Sequence, residues 1–323
     1  MITRRVALGG MTAGGMTALA AAPAVAQEEF PSKQITILVG FAAGGGGDIS
    51  ARWIAEFIRE KWKATAIVEN KPGAGATIAM AQLARAKPDG YTVGLATTSP
   101  FAVAPYFQPV PYQTDKDFTF LFQYLVSAQP LFVQSESRFK TAQDLVAWAK
   151  ANPGKLNWST ASTNGGPHIA TEAAFRALGI SAQYVPYKGG ADAIMGLLSG
   201  HIDALVAAEF PPYAASGKIR LLAESGMEKI AGFPDVPTYK ELGWPVGVPI
   251  FYGLAAPAGV PAPIVAKWEA LGKEMMTAPG YADLVSKLVA LGSFQDSKTF
   301  TNTVLTSYRE MGEIVPKLGL KQN

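Results

Sequence analysis

The run Phe41-Ala42-Ala43-Gly44-Gly45-Gly46-Gly47-Asp48 joins an apolar, strand-like stretch to a helix-like one. Four glycines let a ligand approach the backbone and turn free amide N–H groups into a concavity, and the helix start adds partial positive charge. That chemistry suits an anion. Asp48 reads as the helix N-cap, since a second carboxylate beside a bound anion would repel it, and Arg52 one turn later is its surface partner. Hydroxyl and amide groups gather at two further loops, Thr97-Thr98-Ser99-Pro100 and Ser159-Thr160-Ala161-Ser162-Thr163-Asn164-Gly165-Gly166-Pro167-His168. Each follows a strand-like run, and ligands of open α/β sheets sit at strand carboxyl ends. Both loops therefore read as binding loops, with Ser, Thr and Asn also capping the helices that follow.

Other chemistries lack their residues. Gly73-Ala74-Gly75-Ala76-Thr77-Ile78 has Ile where a dinucleotide fingerprint needs its last Gly or Ala, and no phosphate-loop motif occurs. His168 and His201 are the only histidines and there is no cysteine. That excludes disulfides, thiol nucleophiles, iron–sulfur clusters and Cys-ligated zinc. No G-x-S-x-G elbow is present, so His168 reads as a donor at a helix start rather than a general base. No cofactor and no metal are expected, and His201 reads as an exposed turn residue.

The elements that must position these loops alternate strand, loop and helix. Gln34 to Phe41, Ala66 to Asn70 and Tyr91 to Ala96 read as strands; Trp53, Ile54, Phe57 and Ile58 give one helix its apolar face, and Thr77 to Ala86 a second helix. Pro105 to Gln123 is less regular. The pattern restarts with strands at Leu131 to Gln134 and Leu156 to Thr160 around a helix capped by Thr141. A helix follows from about His168, another spans Ala191 to Ser199, and strands read at Gln183 to Val185, Ile202 to Ala207 and Ile219 to Ala223. Ile250 to Ala256 is one more strand, before helices at about Pro263 to Thr277, Tyr281 to Leu291 and Lys298 to Ile314. This is the grammar of an α/β protein with mainly parallel sheets.

At 323 residues, 49% hydrophobic and 16% charged, the chain is long enough for about two domains and is not a disordered protein. Arg4 and Arg5 precede a small, apolar stretch from Val6 to Ala22, and Ala24-Val25-Ala26 is the pattern a signal peptidase cuts. Residues 1–26 are therefore expected to be a cleaved signal peptide, too weakly apolar for a membrane anchor. Thr3-Arg4-Arg5-Val6-Ala7-Leu8 partly matches a twin-arginine signal, which leaves both bacterial export routes open. The stretch holds two basic residues and no acid, so the remainder carries 26 bases against 25 acids. Nucleic acid is not an expected partner, nor is membrane insertion of the mature chain.

Seven ordered signatures make the chain resemble the periplasmic solute receptors of tripartite tricarboxylate transporters, also called Bug receptors. They are Phe30-Pro31-Ser32-Lys33, Gly44 to Asp48, Val68 to Gly75, Pro88-Asp89-Gly90-Tyr91, Val185-Pro186-Tyr187-Lys188-Gly189, Phe233 to Thr238, and Ala256-Pro257-Ala258-Gly259. The resemblance implies a two-domain, type II-like "Venus flytrap" with the cleft between its domains. These are expected at 27–127 plus 248–323 and at 128–247. Carried over by position, it implies ligand contacts at Phe41, Ala43, Gly45, Gly46 and Asp48, at Thr97 and Thr98, and at Ser162, Asn164, Gly165 and His168. Against the family pattern, Ala43 replaces a Pro, Gly47 a Thr or Ser, Phe101 a His and Ala104 an Asn, while Ala207-Ala208-Glu209 replaces an Asp-Asn-like pair. Phe101 is accordingly expected in the pocket, and the ligand to be a small carboxylate with an apolar or aromatic body and one or two carboxylates.

The function implied is capture of a small organic carboxylate by cleft closure and its delivery to membrane transporter subunits, by a periplasmic, monomeric protein that is not an enzyme. Two readings compete: a sensor for a signalling partner, and a periplasmic hydrolase using His168 with Glu172 or Asp192.

Overall fold

The computed structural model describes residues 30–161, 163, 165–187, 189–226, 228–230, 232–244, 249–288 and 290–317. The expected signal peptide with its expected cleavage near Ala26, and Ser162, Asn164 and Lys188, lie outside the described residues.

The chain first builds β1 (Ile35–Val39), α1 (Gly46–Trp62), β2 (Ala66–Asn70), α2 (Thr77–Ala84), β3 (Thr92–Thr97) and β4 (Phe118–Ser127). It crosses at Ala128-Gln129 into β5 (Pro130–Gln134), α3 (Ala142–Ala151), β6 (Leu156–Thr160), α4 (Gly166–Ala177) and β7 (Ala182–Tyr184). Then come α5 (Gly190–Leu198), β8 (Ala204–Val206), α6 (Pro211–Ala215) and β9 (Ile219–Glu224). It returns through β10 (Phe251–Pro257), α7 (Ala262–Met275), α8 (Tyr281–Lys287), β11 (Ala290–Gln295) and α9 (Ser297–Lys317). Two sheets result, ordered β11-β4-β10-β3-β1-β2 and β7-β6-β8-β5-β9, each flanked by helices.

The sheets are mixed rather than mainly parallel. β1 pairs parallel with β2 and β3, as the alternation predicts, but β10 lies antiparallel between β3 and β4, and β11 is antiparallel to β4. In the second sheet β6 is parallel to β7 and β8, while β5 is antiparallel to β8 and β9. The crossings explain this. β4 ends and β10 begins at the junction between lobes, where the Ser127 N–H donates to Ile250 O at 2.8 Å, so the two strands must run oppositely. β5 and β9 meet there in the same way.

Two strands depart from the sequence reading. β4 starts inside the less regular stretch Pro105 to Gln123, and β11 begins at Ala290, within the last residues of the helix expected to reach Leu291, which stops at Lys287. The Thr141 cap holds: its side chain accepts from Asp144 N, and Asp144 accepts in return. Each lobe has its own core, around Trp268, Phe122 and Ile54 in one and Trp158, Phe175 and Tyr239 in the other. A further cluster joins the lobes, where Met311 and Val315 of α9, with Ala102 and Val103, pack on Ile169, Ala170 and Ala173 of α4. Among the described residues no helix is long and apolar enough to cross a membrane.

Candidate ligand-binding cleft

The β1–α1 loop is built by its glycines and by Asp48. Gly44 has φ +82°, a conformation that favours glycine. A Cβ on Gly47 would lie 2.9 Å from side-chain carbons of Phe41 and Leu95, so the Phe41 ring occupies the space a Thr or Ser would need. Gly45, not Asp48, is the N-cap of α1; its backbone is extended and no side chain caps the helix. Asp48 sits in the first turn and reaches back. Its carboxylate accepts from Gly44 N at 2.8 Å, Arg52 Nε at 2.9 Å and Asn70 Nδ2 at 3.0 Å. Arg52 is thus the expected partner. Its hydrogen bond leads the effects that hold the Asp48 carboxyl down to about 2, with Gly44 and Asn70 helping against a buried setting. Asn70 Nδ2 also donates to Phe41 O, tying β2 to the loop.

The second lobe repeats the device after β6. Gly165 is an extended N-cap with no side-chain cap, and the helix opens Gly166-Pro167-His168. Each lobe therefore presents a helix start without a side-chain cap, and such ends carry unsatisfied N–H groups and partial positive charge.

Between the lobes lies a cavity of about 170 Å³. Phe41, Thr97, Thr98, Ser99, Ile250 and Tyr252 line it from one side. Thr160, Ala161 and the Gly165-Gly166-Pro167 helix start line it from the other, and Gln129 of the crossing closes it. Among the described residues its lining contains no charged side chain. Thr97 Oγ1 is buried here with no hydrogen-bond partner, whereas Thr98 Oγ1 donates to Pro249 O at 2.6 Å and accepts from Phe251 N at 3.2 Å. Thr98 therefore fastens β3 to the returning crossing, and Thr97 is the hydroxyl left over. A hydroxyl buried without a partner costs roughly 1–3 kcal/mol, which a bound acceptor would recover.

Of the residues expected to contact the ligand, the cavity brings together Phe41, Thr97, Thr98 and Gly165, with Ser99, Thr160, Ala161, Gly166 and Pro167 of the same binding loops. Ala43 and Gly45 lie on the exposed loop rim, Gly46 is half-buried beside them, and Asp48 is buried beneath. Tyr252, Ile250 and Gln129 were not anticipated. Tyr252 enters because antiparallel pairing sets it opposite Thr97, a neighbour no local pattern announces.

Two residues are misplaced by the sequence reading. Phe101 is fully buried, edge-on to Phe118 and Phe120, in a helical turn pinned where Tyr112 Oη and Thr114 Oγ1 donate to the carbonyls of Pro100 and Phe101. It belongs to the core and not to the cleft, because the chain turns inward directly after Thr98. His168 is also buried, stacked on Tyr184 with ring centroids 4.0 Å apart and near Trp158, and is not among the cavity-lining residues. Burial lowers its pKa to about 4, so the imidazole is neutral at pH 7.

A larger cavity of about 380 Å³ runs along α9 and β4, but its walls carry Glu224, Glu228 and Glu310 and no lysine or arginine. Those acids make it unsuited to an anion, and among the described residues no cluster of side chains is fit to hold a metal ion.

Two lobes joined by crossings, with the start of α4 lining an interlobe cavity and the start of α1 beside the cavity-lining Tyr252, define a solute-binding protein of the two-domain periplasmic type. The family model described as tripartite tricarboxylate transporter family receptor matches residues 50–320. The chain belongs to this family of periplasmic solute-binding receptors, as its resemblance to the Bug receptors implied. A UPF0065 protein from the gbd 5' region of Cupriavidus necator is 33% identical over 304 residues, covering 94% of this chain and 93% of that one. The crystal structure of a TctC solute binding protein from Polaromonas matches with TM-score 0.80 at 27% identity, covering 89% and 99%. MatC from Rhodopseudomonas palustris, solved with bound malate, matches with TM-score 0.72 at 26% identity, covering 88% and 100%.

Proposed function

We propose that this receptor captures a small organic carboxylate with an apolar body by closing its lobes, and hands it to the membrane subunits of a tripartite transporter. The observation that carries the reading is the uncapped start of α4 in the cavity wall and that of α1 beside Tyr252, with an unpartnered Thr97 hydroxyl in that wall and no charged side chain among the described lining residues. A carboxylate bridging them would favour the closed arrangement by its differential contacts. The malate bound to MatC supports this chemistry. Phe41, Ile250, Pro167 and the Tyr252 ring supply apolar walls for the ligand body, in place of Phe101.

On this reading the moving bodies are residues 27–127 with 248–323 and residues 128–247, and the exported monomer is cleaved near Ala26. A hydrolase is disfavoured because His168 is enclosed by aromatic rings and Glu172 is engaged by Arg176 at 2.7 Å. The test is a thermal-shift screen against mono- and dicarboxylates, aliphatic and aromatic, with citrate, amino acids and neutral analogues. A ligand at a hundred times its Kd adds about 2.7 kcal/mol, which raises the melting midpoint by roughly five degrees or more. A rise with neutral analogues and none with any carboxylate refutes the proposal.

A further inference from the structure

The cavity of about 380 Å³ along α9 is separate from the interlobe cleft; among the described residues the two linings share only Ile250. Its walls come from both lobes and both crossings. Gln123 and Val126 of β4, Leu291 of β11 and a face of α9 belong to the first lobe, Glu224 and Glu228 to the second, and Ala128 and Ile250 to the crossings. On α9 the lining residues Thr299, Thr303, Thr306 and Glu310 follow at helical spacing, so three hydroxyls lead along one face to a carboxylate. Ser297 Oγ donates to Phe120 O at 2.6 Å, whereas Met311 packs in the cluster that joins the lobes, so α9 runs beside β4 toward the crossing and Glu310 stands at that end. Glu224 stands there too, accepting from Gln129 N of the crossing at 2.9 Å.

Two independent features of the wall ask for a ligand that donates. Glu228 and Glu310 have no ion-pair partner among the described residues. Lys229 and Arg309 adjoin them in sequence, but neither lines the cavity, and Lys229 is paired with Glu241 at 3.4 Å. The second feature is Gln123, 1% exposed, whose Nε2 donates to Ser293 O at 3.2 Å and Ser293 Oγ at 3.0 Å. A carbonyl can only accept, which orients the amide and leaves Gln123 Oε1 as a buried acceptor with no partner. Thr303 Oγ1 donates to Gln295 Oε1 at 2.8 Å and Gln295 pairs with Gln123, so Gln123 stands level with Thr303, two turns of α9 or roughly 10 Å from Glu310. A molecule with one ring and a polar group at each end spans that interval. We propose that this hinge cavity is a second ligand site, for a protonated organic amine whose apolar body carries another hydrogen-bond donor. The ammonium lies between Glu310 of one lobe and Glu224 and Glu228 of the other, the body lies against Val126, Ile250 and Leu291, and the far donor meets Gln123 Oε1.

The experiment titrates the full mature protein calorimetrically with tyramine, with 2-phenylethylamine, which lacks the far hydroxyl, and with 2-(4-hydroxyphenyl)ethanol, which lacks the charge. It is run at about pH 8, where the amines stay protonated and Glu224, pushed up to about 7 by burial, is mostly ionised. The expected result is tyramine binding about tenfold or more tightly than the neutral alcohol and about threefold or more tightly than 2-phenylethylamine. Glu228→Gln with Glu310→Gln, two exposed positions, should weaken tyramine at least about tenfold with the unliganded melting midpoint kept as the check on folding. Thr97→Val, which alters the other cavity, should leave tyramine affinity unchanged. No binding of either amine, or a neutral alcohol that binds as well as tyramine, overturns the proposal. Tyramine affinity that survives the double substitution removes the carboxylates from the site, and loss in Thr97→Val places the amine in the cleft; each overturns it as well. Equal affinities of the two amines overturn the assignment of the far end to Gln123. The carboxylate screen reads the receptor function separately and stands or falls without this result.

Discussion

Replacing Thr97 by Val separates a binding hydroxyl from a structural one, because the two roles move stability and affinity in different directions. Thr97 Oγ1 is buried at the cavity wall with no partner, so the unliganded protein carries the cost of an unmade hydrogen bond. Val keeps the β-branched shape and removes the hydroxyl. The expected stability of the empty protein is unchanged or higher by up to about 1 kcal/mol. A hydrogen bond to a charged group contributes about 1.5–3 kcal/mol, so affinity for the tightest carboxylate of the screen should fall roughly ten- to a hundredfold. Urea unfolding of the empty protein gives the first quantity and calorimetric titration the second. A Val variant that loses more than about 1 kcal/mol of unliganded stability while binding as the native protein does would refute the reasoning. Thr97 would then be a packing residue.

Glu224 is buried where the lobes meet, its carboxylate accepting from the backbone N–H groups of Gln129 and Gly226, and burial pushes its pKa up to about 7. The folded chain therefore keeps a proton that the unfolded chain has released. Stability from this group is complete below about pH 4.5 and is lost as pH rises through 7, by up to about 3 kcal/mol. Glu224→Gln should flatten that part of the stability profile in urea unfolding; an unaltered slope would assign the dependence elsewhere. Phe101→Ala should cost about 3–5 kcal/mol of stability, as for a large ring removed from a core, with the ratio of affinities for aromatic and aliphatic carboxylates unchanged. A shift in that ratio would return Phe101 to the pocket.

The β1–α1–β2–α2–β3 unit was legible because its buried strands are short apolar runs and α1 carries a periodic apolar face, both local properties. β4 was not, although Phe118 to Ser127 is largely apolar, because at 10 residues its run is longer than the usual buried strand and its lack of alternation does not tell it from a buried helix. β11 was hidden behind the end of α8, two residues separating helix from strand. At the site, the Gly44 to Asp48 loop, the Asp48–Arg52 pair and the hydroxyl loops stood in the sequence, since each is a turn or a one-turn spacing. Which hydroxyl is spent and which is spare was not legible: Thr97 and Thr98 are adjacent, and only the carbonyl of Pro249, 151 residues further along, distinguishes them.

The sequence by itself determined the α/β grammar, the glycine-built helix starts suited to an anion and the absence of cysteine chemistry, because these depend on residue type and near spacing. Tertiary structure decided the mixed sheets, the burial of Phe101 and His168, and the entry of Tyr252, Ile250 and Gln129 into the cleft. Those features arise where the chain crosses between lobes and meets residues far away in sequence, so strand direction and side-chain exposure follow from long-range pairing rather than from local pattern.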